Sequence, residues 1–174
     1  MKKSILFVIL AVMLLCGCNN RAESDAGTSV INTGSPLSMQ EYYDTVMSCY
    51  FEYVSGTSLG STPEAARATV EPRVSALEKF DKIVPPAEYS KRHKEMMNAA
   101  EKEREWNKVL SNFANGVIGY EDLNSECVRI YGSTRVESEF TTKVLEMVAA
   151  LNKEPGITVS EDGKKLEQLY ELFK

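Results

Sequence analysis

From Leu37 onward, apolar side chains return at every third or fourth position, the period of an α-helix. Only Ile157-Thr158-Val159 alternates as a strand would, and it is too short to pair usefully. This spacing confines the chain to helices packed on helices. Ser38 and Glu41 form a capping box, with Leu37 and Tyr42 placed as a hydrophobic staple, so a first helix is expected from there to a stop at Gly56. Its apolar positions Met39, Tyr42, Tyr43, Val46, Cys49, Tyr50, Tyr53 and Val54, widened by Met47 and Phe51, leave only a narrow polar stripe. Such a helix either lies between two neighbours or shows an aromatic face to a partner.

A second helix is expected from Thr62, with Pro63 in the first turn, where its missing N–H costs nothing. Ala66, Val70, Val74, Leu77, Phe80 and Val84 mark its buried stripe, and Pro72 should kink or divide it. Pro85-Pro86 ends that element, and Pro86 can open the third helix. That helix carries Tyr89, His93, Met96, Met97, Ala100, Trp106, Leu110 and Phe113 to a stop at Asn115-Gly116. Within it, the charge run from Glu101 to Glu105 reads as a solvated face. A fourth stretch starts near Tyr120 with Leu123, Cys127 and Ile130. It is disturbed at Gly132-Ser133 and resumes through Val136, Phe140, Val144, Met147 and Leu151. After the break at Pro155-Gly156, Leu166, Leu169, Tyr170 and Phe173 mark a short C-terminal helix. The expected fold is all-α: an up-down-up-down four-helix bundle over residues 37–174 with a kinked second helix.

The N-terminus obeys a different logic. Lys2-Lys3 precedes an apolar run from Ile5 to Leu15, which as a helix reaches about 16 Å, too short for a bilayer but suited to a signal peptide. Residues 19–36 are polar and aperiodic, a tether of roughly 20–25 Å. Acids outnumber bases 25 to 20. Removal of Lys2 and Lys3 with residues 1–17 takes the net charge to about −7, which argues against nucleic acid as a partner.

Leu15-Cys16-Gly17-Cys18 resembles the lipobox of bacterial lipoproteins. The resemblance implies cleavage before Cys18, diacylglycerol on the Cys18 sulfur and a stable hold on the lipid bilayer. By the same resemblance Asn19, where an aspartate would signal inner-membrane retention in enteric bacteria, favours the outer membrane facing the periplasm in a Gram-negative host.

With Cys18 acylated, Cys49 and Cys127 remain as an even pair in an oxidising compartment. In antiparallel first and fourth helices, Cys49 lies about 9 Å from the end of one and Cys127 about 10 Å from the start of the other. The two would then share a height, and a Cys49–Cys127 disulfide is expected. Chemistry is otherwise sparse. His93 shares a face with Met96 and Met97, a set able to hold a metal but more often found in a core. Neither a haem motif, a di-iron motif, a phosphate loop nor a marked nucleophile occurs, so no catalytic residue and no cofactor is assigned. The expected role is a non-catalytic binding or structural module for other envelope proteins, the alternative a carrier or sensor of a small apolar ligand or metal within the bundle.

Overall fold

Ser38 sets the start of helix α1 (Met39–Ser55). Its hydroxyl accepts the Glu41 N–H at 3.3 Å while the Glu41 carboxylate accepts the Ser38 N–H at 2.9 Å. The capping box read from the sequence is thus formed, and Leu37 packs on the core cluster that contains Tyr42. The computed structural model describes residues 34–56, 62–134, 136 and 138–173, apart from the side chain of Phe173. Helix α1 stops at Gly56, but the glycine is not there for a left-handed turn, since its φ is −77°. A Cβ at that position would lie 2.5 Å from the Thr69 carbonyl oxygen and 3.1 Å from Pro72 Cβ. Gly56 is where the backbone of α1 meets the next helix.

Thr62 caps helix α2 (Pro63–Asp81), accepting the Ala65 N–H at 3.2 Å, with Pro63 in the first turn. The helix runs through Pro72 without division. A 3-10 turn at Ala87–Tyr89 follows Pro85-Pro86 and leads into α3 (Ser90–Ala114). Gly116, at φ 69°, ends α3: its N–H donates to the Phe113 carbonyl at 3.0 Å, and the Val117 N–H donates to the Asn112 carbonyl at 2.9 Å.

The fourth stretch is two helices. Helix α4 (Tyr120–Tyr131) closes on Gly132, whose φ of 70° is costly for any residue with a Cβ. Helix α5 (Glu139–Leu151) then starts afresh, the Ser138 hydroxyl accepting the Thr141 N–H at 3.0 Å. Helix α6 (Glu161–Phe173) begins after Ser160, whose hydroxyl accepts the Gly163 N–H at 3.0 Å. The described residues are all-α, with no strand among them. Helix α1 packs on α2 and α5, α3 packs on α2, α4 and α5, and α6 packs on α5.

The interior is divided. One cluster gathers the α1 tyrosines, Phe80, Met96, Phe140, Val144 and Leu151, with Leu166 and Leu169 of α6. A second holds Ala66, Trp106, Leu110, Phe113, Leu123, Cys127 and Ile130. Helix α6 is seated by a close approach: a Cβ on Gly163 would stand 1.9 Å from the Tyr43 hydroxyl, which also takes the Ser160 N–H at 3.2 Å. Gly163→Ala is therefore expected to displace Tyr43 or lift α6, costing about 1–3 kcal/mol as overpacking does. Urea denaturation of the variant checks this, and an unchanged midpoint would contradict the seating described.

Candidate functional site

The aromatic face of α1 does not wait for a partner. Tyr42, Tyr43, Tyr50 and Tyr53 are all buried, and Phe51 and Val54 are half-buried against the same cluster. Of the two readings the sequence left open, the structure adopts the flanked helix, with α2 and α5 beside it.

The expected Cys49–Cys127 disulfide is corrected: both thiols are free and buried. Cys49 lies in the larger cluster, Cys127 in the smaller. The cause is the break at Gly132, because α5 and not α4 takes the place beside α1. Burial, with the Glu52 carboxylate adding to it, pushes the Cys49 thiol up to about 12, and burial raises Cys127 as well. At neutral pH neither is a thiolate, so neither is a ready nucleophile or soft metal ligand. Cys18 lies outside the described residues, as do the apolar run before it and the tether as far as residue 33.

His93 is buried, and its Nδ1 is 3.0 Å from the Tyr42 hydroxyl, which also stands 3.5 Å from Met147 Sδ. The Phe80 backbone also bonds the ring. The imidazole tautomer sets which of Tyr42 and His93 is the donor in this contact. Met96 is buried and Met97 half-buried against the core.

Burial holds the His93 pKa below its ordinary 6.5, against smaller opposing contributions from the Phe80 carbonyl and the Asp81 charge. The folded protein thus takes up this proton at lower pH than the unfolded chain. Its contribution to stability is complete above pH 6.5 and is lost as pH falls toward the lower folded value. Thermal melts should show Tm falling between pH 7 and pH 5, and His93→Gln should flatten that portion of the profile. An unaltered profile in the variant would place the dependence elsewhere.

The buried polar residues were hidden from sequence reasoning. Arg73 is 7% exposed, and its guanidinium carbon sits 4.9 Å above the Tyr53 ring, while Val74, expected in the stripe, is 38% exposed. Glu103, at 1% exposure, lies inside the charge run expected to face solvent. One of its carboxylate oxygens accepts a short hydrogen bond from the Tyr53 hydroxyl. Burial, opposed by the Arg73 charge and reinforced by the Glu103 charge, raises the Tyr53 pKa far above its usual value, so it remains a donor. A signal did exist: Glu103 falls in step with Met96, Ala100, Trp106 and Leu110, three and seven residues away on either side.

On the surface, a groove of about 470 Å³ opens between α3, α5 and α6, edged by Arg92, Lys143 and Lys153 and by Glu95, Glu146 and Glu171. Its charges cancel, so it selects neither anions nor cations. Among the described residues no cluster of three or more His, Cys, Asp or Glu side chains could hold a metal ion, and no helix is long and apolar enough to cross a membrane. The features define an all-α domain with a closed aromatic core and a polar seam. Comparison with protein-family models, with curated proteins and with solved structures finds no match to this chain.

Proposed function

We propose that this chain is a lipoprotein of the bacterial cell envelope, held on the bilayer through acylated Cys18. Its helical domain, on a polar tether, serves as a non-catalytic binding or structural module for other envelope proteins. The observation that carries the reading is Leu15-Cys16-Gly17-Cys18 directly behind a lysine-led apolar run. The domain is read as an up-down-up-down bundle of α1, α2, α3 and α5. In support, each of these four packs on two of the others, in a closed ring. The helix face offered to a partner is that of α4 and the turn before it, where Val117 (70%), Tyr120 (53%) and Val128 (43%) are exposed. Three apolar side chains on one element, away from the shared core, suit an interface centre.

Two measurements test the parts separately. Cys18→Ser should abolish the acyl mass and move the protein out of the membrane fraction; retention of either defeats the anchor. A photo-crosslinking residue at Tyr120, used in intact cells, should capture a reproducible protein partner. Failure to capture one, with the anchor intact, defeats the binding role alone.

A further inference from the structure

Polar groups from four helices meet where the two core clusters adjoin. Tyr53 of α1 belongs to the larger cluster, and Arg73 of α2 lies over its ring. Glu103 of α3 takes the Tyr53 hydroxyl on one oxygen, while its other oxygen, Oε1, is buried with no protein partner. One helical turn on, Asn107 is 2% exposed, and neither its Oδ1 nor its Nδ2 has a partner. From α4 comes Tyr131, whose ring packs edge-on to Trp106 at 6.0 Å and whose hydroxyl is likewise buried. Burial, then the Glu103 charge and a weak hydrogen bond to Glu103, raise the pKa of that hydroxyl, so the Glu103 carboxylate is its neighbour and the phenol keeps its proton.

An unpaired buried polar group costs about 1–3 kcal/mol, and native interiors supply partners for nearly all of them. Here the demand is specific. The amide of Asn107 requires one acceptor and one donor, Glu103 Oε1 requires a donor, and the Tyr131 hydroxyl, its proton turned to Glu103, can still receive. A charged ligand would have to be desolvated there without a counter-ion of its own, which the interior penalises. We infer that the seam between the two clusters is a binding site for a small uncharged molecule that both donates and accepts hydrogen bonds, held by Asn107, Glu103 Oε1 and Tyr131. An ordered water has this chemistry, and so does a small amide or alcohol drawn from the cell. The site is independent of the membrane anchor and of any surface partner.

The full-length lipidated protein, extracted from its host in mild detergent, provides the test. Native mass spectrometry shows a stoichiometric added mass if the ligand is organic, and Asn107→Leu removes it. If no mass is retained, water-selective NMR should show a long-lived water contacting the Asn107 side-chain amide protons, which assigns the site to water. The water measurement needs only the wild-type chain, so failure of the variant to fold leaves the test intact. Absence of both an added mass and a resident water at those protons would overturn the inference.

Discussion

Phe140→Ala is expected to destabilise the domain by about 3–5 kcal/mol, the range for removing a fully buried aromatic ring. Phe140 has no exposed surface and meets two other rings edge-on: Tyr53 of α1 at 5.1 Å and 70°, and Phe80 of α2 at 5.5 Å and 87°. It stands in the first turn of α5, directly after the Ser138 cap, so the side chain that closes α5 against α1 and α2 also anchors the start of that helix. The loss combines the transfer energy of the ring, the cavity left behind and the two edge-to-face contacts, each worth about 0.5–1.5 kcal/mol beyond area. Far-UV circular dichroism during heating should show Tm lower by on the order of 15 °C. Phe140→Leu, which refills most of the volume, should recover most of this. A loss under about 1 kcal/mol for alanine would mean that α5 does not close the core here.

Glu103→Ala is expected to cost about 1–3 kcal/mol, the penalty for leaving a buried hydrogen-bond partner unsatisfied. Its removal deprives the buried Tyr53 hydroxyl of its acceptor. Glu103→Gln keeps an acceptor and the shape, so it should lose less than alanine does. A double-mutant cycle with Tyr53→Phe isolates the shared hydrogen bond; coupling of about 1–3 kcal/mol is expected where residues touch in a buried network. Denaturant midpoints measure all four corners. Additive losses would show that Tyr53 and Glu103 do not act together.

The two errors about which side chains face inward share a cause. Spacing identifies a stripe, but a helix held between two neighbours has more than one face to bury. On α2 Val74 of the expected stripe gave way to Arg73, while Val70 packs half-buried on the second cluster, because contact at Gly56 and Tyr53 of α1 turns the Thr69 and Arg73 side inward. On α3 the density of charge between Glu101 and Glu105 outweighed the register that places Glu103 beside Trp106 and Ala100. A charged side chain in a core needs a donor from another helix, and no pattern within α3 announces Tyr53. The missed disulfide has the same origin. Cys127 was assigned a position beside α1 by treating the fourth stretch as one rod, whereas the left-handed Gly132 ends that rod and Ser138 begins another.

What the linear chain determined by itself is local. Helix starts at Ser38, Thr62 and Ser138 follow from hydroxyls that satisfy orphan N–H groups, ends at Gly116 and Gly132 from backbone angles that suit glycine, and the all-α class from a 3.6-residue period. These depend on contacts within a few residues. The tertiary structure alone decided which faces were buried, that two cysteines expected to pair belong to different clusters, and that an arginine, a glutamate and an asparagine share the interior. Each of those outcomes depends on a partner tens of residues away, and the free energy that selects it exists only once the helices have met.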